Sequence, residues 1–185
     1  MKELWKYLEI YFRYARRSRT IPLLVFGGVF LLVILLMHYL GCMKQKKMTW
    51  KFCLLEVLLS LELSTIVVVT LYGRAKVESA VWSVKPFASY IIAFTKNDMR
   101  LLAQIIFNIV VFIPFGILLP CCFDIFEKCR YVFLISFLIS VSIELIQGVA
   151  KIGLFETDDV ISNLIGTGIG VLWYFLFQSW KRKRE

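Results

Sequence analysis

Long apolar runs separated by short polar links dominate the pattern of this chain. The runs occupy residues 21–40, 52–72, 101–120, 131–149 and 160–177. A helix of about 20 apolar residues crosses the roughly 30 Å hydrocarbon layer of a bilayer, and each run has about this length. The pattern therefore predicts an all-α fold, a polytopic transmembrane helical bundle with about five membrane segments.

The first 20 residues follow a different pattern, in which aromatic and aliphatic side chains alternate with basic ones. Aromatic residues such as Trp5 and Tyr11 lie among lysines and arginines, which is typical of an amphipathic helix lying in the membrane interface. The links between the later runs are too short for a second domain. We therefore expect a basic amphipathic interfacial segment (1–20), a single transmembrane domain (21–180) and a basic tail (181–185).

The run at 101–120 contains Pro114 near its middle. Proline has no N–H and crowds the carbonyl four residues earlier, so we expect this helix to be kinked or broken there. Broken membrane helices usually line a cavity. A packed kink, with Asn108 bonding a neighbouring helix, explains the same pattern. The shorter run PFASYIIAF (86–94) cannot span a bilayer, which indicates a membrane-hugging or re-entrant segment.

Composition supports an integral membrane protein, because 59% of the residues are hydrophobic and the mean hydropathy is +0.76. The net charge of +9 comes from basic residues that flank apolar runs, so we expect anionic lipid headgroups, and not nucleic acid, as partners. The five cysteines form no C-x-x-C pair and His38 is the only histidine, so we expect no metal site, no cofactor and no disulfide framework.

The distribution of lysine and arginine leaves the topology open. If all five runs cross, the two sides of the membrane share these residues almost equally. If the last run does not cross, most of them lie on the same side of the membrane as the N-terminus, as the positive-inside rule prefers. The last run is nevertheless long enough to cross. Its Ser162, Gly166 and Gly170 form a stripe of small residues that lets another helix approach closely, within one chain or between copies.

Polar residues inside apolar sequence are candidates for function, since an ionisable group in hydrocarbon costs several kcal/mol unless it is partnered. In the run at 52–72, Glu56, Ser60 and Ser64 recur every four residues, so we expect this face to point into the bundle. Glu62 lies on another face, where a functional role and a snorkelling or protonated side chain are both open.

The densest polar set lies between residues 140 and 170. Glu144 and Gln147 share one helical face, and Asp159 and Asn163 share another. A simpler reading of Asp158 and Asp159 is that Thr157 or Asp158 caps the last helix and that the carboxylates complement its dipole.

Three motifs in this order resemble the VanZ-like family of bacterial membrane proteins. They are NIVVFIPFGILLP, S-x-x-I-E-L-I-Q and FETDDVISNLIGTGIG, and TLYGR and K-P-F in the long link are similar to the family pattern as well. The resemblance covers about residues 60–176. The chain departs from the family pattern at one position. Many members carry a basic residue shortly before the acidic pair, which is Asp158 and Asp159 here, but in KIGLFETDD (151–159) the only basic residue is Lys151 at the start.

The resemblance implies a multi-pass cell-membrane protein, typical of Gram-positive bacteria, whose named member confers low-level teicoplanin resistance. It implies no known reaction. Together with the polar residues it gives the candidate ligand-binding set Arg74, Asn108, Glu144, Gln147, Asp158, Asp159 and Asn163.

Two functions are candidates for this site. The first is binding of a lipid-linked or lipoglycopeptide ligand. The alternative is a membrane-embedded enzyme acting on an envelope lipid or sugar, with Glu144 or Asp159 as general base or as ligand to a divalent cation. The sequence contains no Ser-His-Asp set and no phosphate-binding loop, which favours the first.

Overall fold

The computed structural model describes residues 2–16, 20–39, 50–72, 76–78 and 82–184. Within these ranges the chain forms seven α-helices and two short strands. The helices are α1 (Lys2–Arg16), α2 (Thr20–Tyr39), α3 (Trp50–Thr70), α4 (Ala88–Thr95), α5 (Met99–Cys122), α6 (Cys129–Val149) and α7 (Thr157–Arg182), and the strands are β1 (Trp82–Ser83) and β2 (Phe155–Glu156). A 3₁₀ turn at Asp124–Glu127 joins α5 to α6. Arg74, one of the candidate site residues, lies outside the described ranges.

In the part of the chain that the structure describes, four helices are long and apolar enough to cross a membrane, and they confirm the predicted all-α polytopic bundle. They comprise Phe52–Thr70 of α3 and the whole of α5, α6 and α7. The stretch Ile21–Leu36 of α2 adds a shorter apolar helix. The last apolar run thus belongs to a helix of membrane-spanning length. The division into an interfacial segment, one transmembrane domain and a tail stays a prediction.

The four long helices bring their polar ends together on one side of the bundle. The last turn of α3 bonds to α6, where Gln147 donates to the Thr70 carbonyl. The first turns of α5 bond to the start of α7, where Gln104 reaches Asp159. We call this the acidic end of the bundle, meaning the C-terminal ends of α3 and α6, the N-terminal ends of α5 and α7, and α4.

The apolar helix α2 runs antiparallel beside α3. The Ser64 hydroxyl donates to the carbonyl of Leu23 at 2.6 Å, and Gly27, one turn further along α2, lies against Leu61. On the same face of α3 as Ser64, Glu56 and Ser60 are also buried, which confirms that this polar face points into the bundle.

The glycines of α7 let its backbone touch the backbone of α5. A Cβ atom on Gly166 would lie 2.1 Å from the carbonyl oxygen of Ile109, and one on Gly170 would lie 2.2 Å from that of Ile113. Gly116 of α5 makes an equally close approach to α7. The small-residue stripe is therefore used within the chain, where close approach increases the van der Waals contact that holds membrane helices together.

The helix α5 is not broken at Pro114, because it is continuous from Met99 to Cys122. The expected break is therefore wrong, and the kink stays a prediction. Phe112 and Phe115, which flank the proline, are both buried in the core of the bundle. The glycine contact with α7 lies in the same turns of the helix. Packing of this face of α5 against the rest of the bundle thus holds the helix in place, as neighbouring helices commonly do around prolines in membrane proteins.

The link between α3 and α5 folds onto the loop between α6 and α7. The two strands pair in parallel, with Trp82 opposite Phe155 and Ser83 opposite Glu156. The rings of Trp82 and Phe155 lie 5.1 Å apart between centroids. The run PFASYIIAF forms mainly α4, a helix of 8 residues, far too short to span a bilayer. Its predicted position along the membrane stays a prediction.

Candidate functional site

Asp158 caps α4, and not the helix in which it lies. Its carboxylate accepts hydrogen bonds from the backbone N–H groups of Phe87 and Ser89, the latter at 2.6 Å. These are two of the four N–H groups that the start of a helix leaves unbonded. The N-cap of α7 is Glu156, which makes no side-chain capping bond. The reading in which Asp158 or Thr157 caps the last helix is therefore wrong, and Asp158 instead fixes α4 to α7.

The backbone of Phe87 shows how much depends on this contact. Phe87 has a φ angle of 64°, in the left-handed region that non-glycine residues rarely adopt. Such a conformation costs of order 1–3 kcal/mol and persists only where the surroundings enforce it. The carboxylate of Asp158 supplies part of that enforcement through charge-assisted hydrogen bonds.

A second contact between α4 and α7 joins Tyr90 to Ser162. The Ser162 hydroxyl donates to the carbonyl of Asp158 at 2.8 Å, so its single proton is used. The Tyr90 hydroxyl, 2.7 Å from Ser162 Oγ, must therefore donate to it. Burial, followed by the nearby charges of Asp158 and Asp159, raises the pKa of Tyr90 although the Ser162 bond lowers it. Tyr90 thus holds its proton for this bond.

Three carboxylic acids and one amide meet at the acidic end. Gln104 Nε2 of α5 donates to Glu156 Oε2 at 2.9 Å and reaches Asp159 Oδ1 and Oδ2 at 3.2 and 3.3 Å. The backbone N–H of Glu156 donates to Glu144 Oε2 of α6 at 2.9 Å. We call Gln104, Glu144, Glu156 and Asp159 the acidic cluster. Four separate elements of the fold, α5, α6, β2 and α7, position its side chains.

Two members of the acidic cluster are buried, whereas Gln104 and Glu156 are half-buried. Only 2% of Glu144 and 8% of Asp159 are exposed. Carboxylates held close together in a shielded place repel one another, and amide and backbone N–H donors offset part of that repulsion. Such a set accepts hydrogen bonds from hydroxyl or amine groups. Within the described ranges, no group of three or more His, Cys, Asp or Glu has the arrangement to hold a metal ion.

Gln147 and Asn163 bind helices to each other beside the acidic cluster. Gln147 Nε2 donates to the Thr70 carbonyl at 3.1 Å and so joins α6 to α3. Asn163 Nδ2 donates to Ser140 Oγ at 2.7 Å and joins α7 to α6. Both side chains are buried, as is usual for polar groups that connect helices within a membrane. Their contacts indicate that they position the cluster.

Asn108 lies one turn after Gln104 on α5 and is half-buried. No hydrogen bond from its side chain to another described residue is seen. The structure therefore brings Glu144 and Asp159 into one cluster and places Asp158, Gln147 and Asn163 around it, but it does not join Asn108 to them.

Sequence reasoning missed Gln104, Glu156, Tyr90 and Ser162 as site residues. Gln104 is four residues before Asn108 in the same apolar run, and this spacing was a usable signal that both share a helical face. Glu156 lies between the last two apolar runs, two residues before Asp158. Tyr90 gave no signal, because only the folding of the long link brings it to α7.

Membrane-length helices packed around buried carboxyl and amide groups define an α-helical, multi-pass membrane protein. A model of the VanZ/LLP1 family matches residues 63–178, which is more than half of the chain and includes the whole acidic cluster. The chain belongs to the VanZ/LLP1 family, as its motifs predict. Neither a curated protein nor a solved structure matches it.

Proposed function

We propose that this VanZ-family protein lies in the cell membrane of a Gram-positive bacterium and lowers susceptibility to teicoplanin-type lipoglycopeptides. In this proposal it binds a lipid or an amphiphilic envelope ligand at the acidic end of the bundle. Family membership supports the coarse part, a VanZ-like membrane protein. The ligand and the resistance are the parts that we add.

The observation that carries the proposal is the sharing of one amide by two carboxylates. Gln104 Nε2 contacts both Glu156 and Asp159, so two carboxyl groups converge on one amide. Glu144 adds a third carboxyl group through the backbone of Glu156. A ligand with several hydroxyl or amine groups, such as a sugar or amino-sugar head, has the donors that this arrangement accepts.

The apolar part of such a ligand has a surface beside the cluster. Phe87, Ile91 and Phe94 are exposed on and next to α4, which Asp158 fixes to the start of α7. Lys85 and Lys96 flank this surface and are exposed. Lysines at a membrane surface attract anionic lipid headgroups by about 1 kcal/mol each, so we expect anionic lipids to gather at this end.

The proposal is tested by measuring teicoplanin and vancomycin susceptibility in a Gram-positive host. The host expresses the wild type, Asp159→Asn or Glu144→Gln, at membrane levels matched by immunoblotting. We expect the wild type to raise the inhibitory concentration of teicoplanin selectively and both variants to lose that effect. Each change removes a charge while keeping the size of the side chain.

Glu127→Gln provides the matched control, because it makes the same carboxyl-to-amide change on an exposed residue in the 3₁₀ turn at the opposite end. It should behave as wild type. If the wild type does not change susceptibility, resistance is not the function of this protein. If Glu127→Gln fails as badly as Asp159→Asn, the effect does not come from the acidic cluster.

The alternative, an enzyme acting on an envelope lipid or sugar, is supported by the pairing of Glu156 and Asp159 around one amide. Neighbouring carboxyl groups differ in proton affinity, which suits one of them to act as general base and the other as acid. In that case Asp159→Asn abolishes turnover but leaves ligand binding nearly intact. For a binding protein, Asp159→Asn instead weakens binding in proportion to its loss of effect.

A further inference from the structure

A groove of about 310 Å³ lies between α3 and α5, apart from the acidic cluster. Its volume falls at the lower end of the range for small-molecule sites, about 300–1,000 Å³. It is lined by Leu58, Leu61, Glu62 and Thr65 of α3 and by Pro114, Ile117 and Leu118 of α5. Since Leu58 is 41% exposed, the groove opens on the outer face of the bundle.

The groove lies at the depth of the hydrocarbon layer. Glu62 is near the middle of the span Phe52–Thr70, and eight residues of helix separate it from Thr70, which is about 12 Å. Pro114 lies ten residues beyond Gln104 on α5, which is about 15 Å. A ligand in this groove is therefore surrounded by lipid chains, well away from the acidic end.

Glu62 brings an unsatisfied polar atom into this apolar place. Its Oε1 atom is buried and has no hydrogen-bond partner in the part of the chain that the structure describes. Thr65, one turn along the same face, donates its hydroxyl proton to the Leu61 carbonyl at 2.8 Å and so does not serve Glu62. An unpartnered carboxyl group in hydrocarbon costs several kcal/mol, and the hydrocarbon offers no donor.

Pro114 adds a second acceptor beside the groove. Having no N–H, it cannot donate to the carbonyl of Val110, four residues earlier in the continuous helix α5, which therefore lacks its usual helical donor. A helical carbonyl points towards the residue four positions ahead, here Pro114. Both features favour a ligand that supplies a hydrogen-bond donor.

We propose that this groove binds a long-chain alcohol, whose hydrocarbon chain lies against the leucines and Ile117 and whose hydroxyl donates to Glu62 Oε1. A hydroxyl both donates and accepts, so it satisfies the carboxyl group in either protonation state. An ammonium head has to be desolvated as a full charge at this depth, at a cost of several kcal/mol. This site is separate from the acidic cluster and does not depend on the function proposed for it.

The test is photochemical cross-linking of the purified full-length chain in lipid nanodiscs with a dodecanol that carries a diazirine in its chain. We expect saturable labelling of the peptide that contains Pro114 to Leu118, and we expect excess 1-dodecanol to prevent it. Dodecane, which lacks the hydroxyl, should compete at least about fivefold less well, because a hydrogen bond contributes about 1 kcal/mol between neutral groups and about 1.5–3 kcal/mol to a charged group.

Variants separate the role of the carboxyl group from that of the groove shape. Glu62→Leu removes a polar group from hydrocarbon, so the protein should insert normally, yet labelling should fall at least about fivefold with the lost hydrogen bond. Leu118→Trp fills the groove and should abolish labelling. Glu127→Gln, an exposed residue outside the groove, should label as wild type.

The proposal is overturned if labelling is not saturable, if dodecane competes as well as 1-dodecanol, or if dodecylamine competes better than either. It is equally overturned if Glu62→Leu labels as wild type. Asp159→Asn should label normally, so that a failure of the acidic-end proposal in the susceptibility assay is distinguishable from a failure here.

Discussion

Asp158 and Asp159 are adjacent in the chain but serve different parts of the structure. The carboxylate of Asp158 caps α4, whereas that of Asp159 meets Gln104 in the acidic cluster. Successive residues of an α-helix point about 100° apart, so the two side chains face different neighbours. One acidic pair therefore combines a mainly structural residue with a candidate functional one.

For Asp158→Ala we expect the unfolding free energy to fall by about 2–4 kcal/mol, because two charge-assisted hydrogen bonds are lost. Unfolding in mixed detergent micelles measures the change, and amide hydrogen exchange at Phe87 and Ser89 should become faster. Asp98 is the N-cap of the helix that directly follows it, α5, so Asp98→Ala should lower the unfolding free energy by only about 1 kcal/mol. The control Asp98→Ala should not change the rate of amide exchange at Ser89. If Asp158→Ala also leaves that rate unchanged, Asp158 does not cap α4.

The raised pKa of Tyr90, compared with its ordinary value of 10.0, gives a dependence of stability on pH. The native state holds this proton more tightly than the unfolded chain, so the contribution is present in full below about pH 10 and is lost as the pH rises through the native pKa. Alkaline unfolding monitored by phenolate absorbance should show this loss.

The Tyr90→Phe variant lacks that ionisation, so its alkaline stability profile should be flatter than that of the wild type. Tyr72→Phe controls for the removal of one phenol, because Tyr72 is exposed on the short turn after α3. Identical profiles for wild type and Tyr90→Phe contradict the assignment.

At the scale of the elements, the pairing of α5 with α7 depends on backbone contact. For Gly166→Ala we expect α5 and α7 to separate slightly, because the added Cβ would lie 2.1 Å from the Ile109 carbonyl oxygen. Overpacking of this kind costs about 1–3 kcal/mol, occasionally more. Thermal unfolding in detergent measures the loss.

Gly28→Ala is the matched control, because a Cβ atom at Gly28 meets nothing within 4 Å. It should be neutral or should stabilise α2 by up to about 1 kcal/mol through higher helix propensity. If Gly28→Ala and Gly166→Ala lower the thermal stability equally, the close contact between α5 and α7 does not account for the effect of Gly166→Ala.

At the scale of the whole molecule, each long helix reverses the direction of the one before it in the chain. If α6 crosses the membrane once, its two ends lie on opposite sides. Cys129 begins α6 and is exposed, and Ala150 follows its last residue and is exposed. A helix of 21 residues is about 30 Å long, which matches the hydrocarbon thickness.

A membrane-impermeant maleimide applied to intact cells tests this arrangement in chains with a single cysteine. The other native cysteines are replaced by alanine: Cys42, Cys53, Cys121 and Cys122. One chain keeps Cys129 and the other carries Ala150→Cys with Cys129 also replaced. We expect labelling of one chain only, and of both after permeabilisation. Labelling of both or of neither in intact cells contradicts a single crossing.

The sequence alone determined the class of fold and most of the membrane segments. Long apolar runs and the amphipathic pattern of the first residues are properties of the local chain, and a bilayer selects helices from such runs whatever their neighbours are. The motifs also determined the family. The polar residues of the last two apolar runs were visible as candidates, because hydrocarbon penalises each of them individually.

Only the tertiary structure decided what those residues contact. It joined Gln104 to Glu156 and Asp159 and assigned Asp158 to α4. It also kept α5 continuous through Pro114, because packing against the rest of the bundle overrides the local preference for a break. Such contacts connect residues more than 50 positions apart, and they depend on which helices pack together and how each is rotated. Local sequence contains neither quantity, since both follow from the packing of the whole bundle.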